Sequence, residues 1–431
     1  MSTPIPSPHP SAASALSSPA PWPHVVRTAA ALAAAMGIGR FVYTAILPLM
    51  HAQAGLSAAA GANVATANYV GYLVGALAGI LAPALVRSRA VLRGSLLALV
   101  ATLAAMPLGE SVAGWLLLRL VAGVASALVF VVAVSSLLHH LRDRPPHLPG
   151  WAFGGVGGGI ALSGLLVLAL RSVTDWRAAW WASAALTAVL ACAAWNLRPE
   201  SAPETPAAAV AEPGPRTHRW FGALFVSYGL EGVGYIVAGT FLVAAIGQGS
   251  PGWVGNGAWV LVGLAAVPSA AVWAWLGRRR SRPDLLLAAL LVQAVGIALP
   301  ALVGGTAAAL VSAVLFGGTF IGISTLALAT GAHLRFPRSV ALLTAGYSVG
   351  QIVGPLAVAP LLQHGYRGAL PLASGVVLAA AGAAAVLRIG FPHHMLVVRH
   401  PEETRHTDGG RRPEPTRDAG PDTVAPHRTA G

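Results

Sequence analysis

The sequence predicts an all-α membrane protein in which 12 transmembrane helices form two pseudo-symmetric six-helix bundles. Three observations carry this. Of 431 residues, 55% are hydrophobic and 10% charged, with a mean hydropathy of +0.68, whereas soluble domains carry about 25% charged residues. The apolar runs are about 20 residues or longer, the length that crosses a hydrocarbon core as a helix. They are rich in Ala, Leu, Val and Gly and lack the alternation of a membrane barrel. Finally, the second half of the chain echoes the first across a polar, proline-containing stretch.

The spans read as 28–50, 61–86, 91–109, 112–139, 151–170 and 178–197, then 220–247, 253–276, 284–303, 307–331, 339–362 and 369–388. Residues 1–27, rich in Ser, Pro and Ala, lack the charged start of a signal peptide and are expected to form a disordered cytoplasmic tail. Residues 28–197 make the N-terminal bundle. Residues 198–219, with five prolines, make a flexible cytoplasmic linker. Residues 220–390 make the C-terminal bundle, and 391–431 a second disordered cytoplasmic tail.

All 27 basic residues are arginine. With both termini on one side, 22 fall on that side and three, Arg171, Arg177 and Arg367, on the other; Arg40 and Arg119 lie inside spans. The positive-inside rule then puts both termini in the cytoplasm. The net charge of +13 thus follows topology and calls for no nucleic acid. Cys192 is the single cysteine, so no intramolecular disulfide forms. The run Gly154-Gly155-Val156-Gly157-Gly158-Gly159 has no following Lys-Ser/Thr and opens an apolar span, so it is no phosphate loop. His139 and His140 are adjacent, unlike the i, i+4 pair of a zinc site. No metal or cofactor is expected, and no nucleophile–base arrangement marks an enzyme.

The halves share ordered echoes. His140-Leu141-Arg142 after the fourth span matches His333-Leu334-Arg335 after the tenth; Ala122-Gly123 pairs with Gly317-Gly318, and Val156-Gly157-Gly158 with Val349-Gly350-Gln351. A duplicated six-span unit is the arrangement in which two bundles rock about a midplane site. The plan resembles the major facilitator superfamily, whose fourth-span signature is similar to Arg119-Leu120-Val121-Ala122-Gly123. Four segments resemble the YbfB/YjiJ-like branch: Gly37-Ile38-Gly39-Arg40-Phe41-Val42-Tyr43-Thr44 through Met50, Tyr228-Gly229-Leu230-Glu231-Gly232-Val233-Gly234-Tyr235-Ile236, Gly317-Gly318-Thr319-Phe320-Ile321-Gly322-Ile323, and Gly350-Gln351-Ile352-Val353-Gly354-Pro355. The resemblance covers roughly 28–390. One departure is that Gly79–Arg87 carries no acidic residue, where the superfamily usually has one before its basic cluster.

Arg40 lies about twelve residues past Arg27, roughly 18 Å deep at 1.5 Å per residue. A charge at that depth costs at least about 2.5–3.5 kcal/mol unless it faces protein or water. Glu231, about eleven residues into the seventh span, is its expected partner, either in a static ion pair or in a site that binds substrate and couples protons. Helical spacing puts Gly37, Arg40, Tyr43 and Thr44 on one face, and Ser227, Tyr228, Glu231 and Tyr235 on another. Tyr347 and Gln351 share a face of the eleventh span with Pro355, and Asn68 and Tyr72 share one of the second; each set either lines the cavity or bonds a neighbouring helix. Gln293, in the peripheral ninth span, reads as structural. Arg119 reads as toward the outer side, either snorkelling to the interface or, as the resemblance implies, linked to proton movement. The small-residue spacings Gly150, Gly154, Gly158 and Gly155, Gly159, Ser163 permit close helix packing and a pivot, matched by Gly350 and Gly354 with a bend at Pro355.

The expected function is a cell inner-membrane secondary transporter that moves a small organic molecule by alternating access, as a monomer in the lipid bilayer, by proton-coupled export. The alternatives are proton-coupled uptake of a small organic anion, and a transport-inactive membrane sensor or scaffold.

Overall fold

The computed structural model describes residues 21–141, 144, 148–170, 175–199 and 217–392. Among the described residues twelve helices are long and apolar enough to cross a membrane: Trp22–Gln53, Ala58–Leu81, Arg89–Leu108, Val112–His140, Leu148–Leu170, Trp176–Ala194, His218–Gly247, Gly252–Leu276, Arg282–Leu302, Gly305–His333, Ser339–Val358 and Tyr366–Arg388. They are called the first to twelfth spans below. No strand occurs among the described residues. Helix begins at Trp22 and His218, so residues 22–27 and 218–219 belong to spans rather than to the expected tail and linker. The expectations for the rest of the first tail, for 200–216 and for 393–431 lie outside the described residues.

Span starts follow local chemistry. Ser57, Ser88, Ser111, Asp175 and Ser281 each accept a hydrogen bond from the backbone N–H three residues on, satisfying one of the free donors of the second, third, fourth, sixth and ninth spans. Asp284 in turn pairs with Arg388 at 2.5 Å, tying the start of the ninth span to the end of the twelfth.

Packing between spans depends on missing side chains. A Cβ on Gly155 would sit 2.1 Å from the Ala29 carbonyl oxygen and one on Gly159 2.5 Å from that of Ala33, so the fifth span lies backbone-to-backbone on the first. In the second half, a Cβ on Gly350 would sit 2.4 Å from the Gly229 oxygen and one on Gly354 2.6 Å from that of Val233, where the eleventh span meets the seventh. The packing of Gly123 against the second span (2.1 Å from the Asn68 oxygen) is likewise repeated by that of Gly317 against the eighth (2.2 Å from that of Val262). These contacts express the pseudo-symmetry and correct its register. Gly155, not Gly157, corresponds to Gly350, Gly159 corresponds to Gly354, and Gly123 corresponds to Gly317, not Gly318.

The fifth and eighth spans make the closest contact between the halves. Gly154 packs on Val267, and Gly157 on Gly263. Gly158, expected in this stripe, faces open space, because seven residues from Gly150 rather than eight return a helix to the same face. A Cβ at residue 263 would come within 2.2 Å of the Ala161 nitrogen and 2.6 Å of the Gly157 oxygen. Gly263→Ala is therefore expected to cost about 1–3 kcal/mol through overpacking, read as a lowered melting temperature in detergent, while Gly158→Ala leaves it unchanged.

Candidate functional site

The first span is broken where its arginine sits. Trp22–Leu32 is α-helix, Ala33–Ile38 is a π-helical turn, Gly39–Phe41 is a turn, and α-helix resumes at Val42. The Gly39 N–H reaches back five residues to the Ala34 oxygen (2.8 Å). Such a break strands backbone carbonyls that lipid cannot satisfy. The fourth span supplies the donors. Arg119 donates from Nη1 to the Gly39 oxygen and from Nη2 to the Arg40 oxygen, both at 2.8 Å, and Ser126 donates to the Ala35 oxygen at 2.8 Å. Arg119 is 1% exposed. It does not snorkel to the interface, one of the two readings above, because two carbonyls hold its planar fork. Asn68 donates to the Arg119 carbonyl at 2.9 Å, and Tyr43 to that of Gly61 at 2.9 Å. Both side chains fasten helices within the first half rather than facing a shared centre.

The side chain of Arg40 leaves this break toward the second half. Its Nη2 donates to Oε1 of Gln351 on the eleventh span, and its guanidinium lies 4.4 Å from the ring centre of Tyr72, 5.1 Å from Tyr69 and 5.3 Å from Phe41. It is 3% exposed, and its Nε has no hydrogen-bond partner. Pro355 stands four residues beyond Gln351, so it offers no N–H to the Gln351 carbonyl. Nearby, Thr44 donates to the Gly239 oxygen at 2.5 Å, and the Tyr69 and Thr240 hydroxyls are 2.8 Å apart. These bonds also join the halves beside Arg40.

Glu231 is not the partner of Arg40: no ion pair joins them. The glycine contacts explain why. They align Ala29 with Gly229 and Ala33 with Val233, a shift of 200 residues that makes Thr240 the counterpart of Arg40. Glu231 lies nine residues closer to the start of its helix, roughly 13 Å along the axis. It lies at the edge of the face that carries Tyr228 and Tyr235, with Tyr347 against all three. Ser227 donates to the Ala380 oxygen of the twelfth span (2.8 Å), and Glu231 Oε1 accepts from Gln293 Nε2 of the ninth (3.2 Å), so the side with Ser227 and Glu231 turns into the second half. Glu231 is 0% exposed, and its Oε2 lacks a hydrogen-bond partner. Tyr347 is adjacent to it.

Tyr228 and Tyr235 instead face the centre. Tyr228 stacks on Tyr347 at 4.3 Å, and Tyr235 lies 5.9 Å from Tyr347 and 5.4 Å from Phe320. Phe320 is 6.4 Å from Phe41, so a continuous row of rings runs from Arg40 to the neighbourhood of Glu231. Sequence reasoning passed over Tyr69, Phe41 and Phe320, and read Gln293 as structural without a partner. Tyr69, three residues before Tyr72, was within reach of helical spacing. The Gln293–Glu231 bond had no signal, since it depends on which helices are neighbours. Among the described residues no group of His, Cys, Asp and Glu is arranged to hold a metal ion.

Twelve helices of spanning length around a buried, aromatic-lined arginine define a membrane transporter of the major facilitator fold. More narrowly, the chain belongs to the family described as the uncharacterised MFS-type transporter YbfB, whose model matches residues 32–389. Among solved structures, the crystal structure of a point mutant of the nucleoside transporter NupG is similar with a TM-score of 0.64 and 13% identity, over 84% of this chain and 100% of that one. At that identity the likeness is one of fold. No curated protein matches the chain.

Proposed function

We propose that this protein moves a small organic molecule across the bacterial inner membrane by alternating access, with protons as the coupling ion and export as the direction. The observation that carries the reading is on the eleventh span. Gln351 holds Arg40 of the other half, while Tyr347, one turn earlier on the same helix, abuts Glu231. Anything that releases Gln351 from Arg40 moves the surroundings of the buried carboxyl, and a change in those surroundings changes its proton affinity. The two six-helix bundles are the rocking units, and the close glycine contact of the fifth and eighth spans is the pivot. The arginine bias of 22 to three supports cytoplasmic termini. The molecule works as a monomer.

The hydrogen bonds Thr44–Gly239 and Tyr69–Thr240, which join the halves beside Arg40, then act as a seal between the bundles. Thr44→Val with Tyr69→Phe is expected to loosen it, seen as faster hydrogen exchange in peptides covering 42–53 and 236–247 without loss of folding. Unchanged exchange there would remove these bonds from the gate.

Untargeted metabolite comparison of deletion and overexpression strains tests the reading as a whole. Export predicts a compound that accumulates inside deletion cells and falls on overexpression, and reconstituted protein then moves that compound against its gradient when a pH gradient is imposed. The second reading, uptake of a small organic anion, is favoured by the unpartnered Nε of Arg40 and predicts the reverse accumulation. Absence of flux under any gradient would instead favour a sensor or scaffold.

A further inference from the structure

Among the described residues, the buried Arg, Asp and Glu side chains are Arg40, Arg119 and Glu231, and no ion pair joins any of them. Arg119 directs both terminal nitrogens at carbonyls, and Glu231 takes its donor from Gln293. Arg40 is left as a buried cation with no counter-charge: the groups against its guanidinium are neutral, and the charged residue beside it, Arg119, has the same sign. A buried charge held only by neutral groups is costly, and the cost falls sharply when a counter-charge arrives with good geometry.

The hydrogen bonding of Arg40 says what geometry that is. In a guanidinium, Nε–H and one Nη2–H point the same way and form a two-pronged edge that matches the two oxygens of a carboxylate. Here Gln351 Oε1, a single neutral acceptor, takes Nη2, and the adjacent Nε has no partner. The edge is half filled. Tyr72 at 4.4 Å and Tyr69 at 5.1 Å already lie against the guanidinium, so its in-plane edge is what remains for a ligand. The row of rings through Phe41, Phe320, Tyr235 and Tyr347 starts at Arg40 and makes its surroundings largely apolar.

We propose that the Nε–Nη2 edge of Arg40 anchors a substrate carboxylate, that Gln351 is the internal stand-in the carboxylate displaces, and that the substrate is an aromatic monocarboxylate. Arg119 is uncompensated too, but both its terminal nitrogens are held by carbonyls, so Arg40 alone offers a two-pronged edge, and one carboxylate fills it. The rings favour a planar body through offset or edge contacts. The inference rests on the transporter reading for the word substrate, but the anchor itself is a binding site and can be tested without flux.

The probes are 2-naphthoate, its uncharged isostere 2-naphthamide, and the saturated acid cyclohexanecarboxylate, titrated calorimetrically into the full-length protein in nanodiscs. Binding of naphthoate about 10- to 100-fold tighter than naphthamide is expected, the range of a charge-assisted two-pronged contact, with the saturated acid weaker than naphthoate. Arg40→Gln should erase the preference for acid over amide. Gln351→Ala, which removes the competitor and leaves the cation, should hold or raise naphthoate affinity, and it remains informative if Arg40→Gln fails to fold. Equal binding of acid and amide, no binding of naphthoate, acid preference surviving Arg40→Gln, or loss of naphthoate binding in Gln351→Ala would each overturn the anchor. Naphthoate that binds through Arg40 but never crosses proteoliposomes would uphold the anchor and sink the transport reading. Flux confined to neutral solutes would do the opposite.

Discussion

Arg119→Leu is expected to be the most damaging single substitution in the protein. The side chain does two jobs in one geometry, donating to the carbonyls of Gly39 and Arg40 while lying 5.4 Å from the Tyr43 ring. Leucine leaves both carbonyls buried without donors, at about 1–3 kcal/mol each, and the broken helix has no other way to satisfy them. The loss should appear as poor recovery of monodisperse protein and a melting temperature lowered by several degrees. Arg119→Lys separates shape from charge. An ammonium is a point donor and cannot span two carbonyls as a planar fork does. The lysine variant should therefore fold better than the leucine variant yet still misaim Arg40, giving a reduced transport rate at near-normal expression. If the lysine variant transports like the parent, the capping role assigned to the fork is wrong.

The break in the first span also explains what could and could not be read from the sequence. Charge density, run length and arginine placement are one-dimensional properties, and they suffice for twelve spans because lipid forces each backbone to satisfy itself within a helix. Ser57, Ser111 and Asp175 mark span starts for the same local reason. The site was harder. Arg40, Tyr72, Tyr228, Tyr235, Tyr347 and Gln351 do come together, because each is a polar or aromatic residue that lipid would reject. Their partners were misassigned where a straight helix was assumed. The π-turn at Ala33–Ile38 shifts every residue after it by part of a turn, which sends Tyr43 to Gly61 and Thr44 to Gly239. Depth failed for a related reason: counting from estimated span ends made Arg40 and Glu231 level, whereas the glycine contacts set them nine residues apart. Helix ends are the least determined feature of an apolar run, and backbone contact between helices is not written in either sequence alone.

Glu231→Gln is expected to separate proton coupling from solute movement. Glutamine matches glutamate in size, can still accept a hydrogen bond from Gln293 Nε2 through its amide oxygen, and cannot exchange a proton with solvent. The buried position argues that folding survives, because no cation is left without its counter-charge: Arg40 is bonded to Gln351 and Arg119 to backbone. In proteoliposomes the variant should exchange labelled for unlabelled solute near the parental rate, but an imposed pH gradient should no longer drive accumulation, which would fall to the equilibrium ratio of one. Tyr347→Phe is the intermediate case. It keeps the ring stacked on Tyr228 and removes the hydroxyl beside Glu231, so it should retain accumulation while moving the pH at which the rate is half-maximal. Were Glu231→Gln to accumulate solute as steeply as the parent, the carboxyl would be a packing group of the ninth-span contact. The coupling proton would then have to be sought at another group.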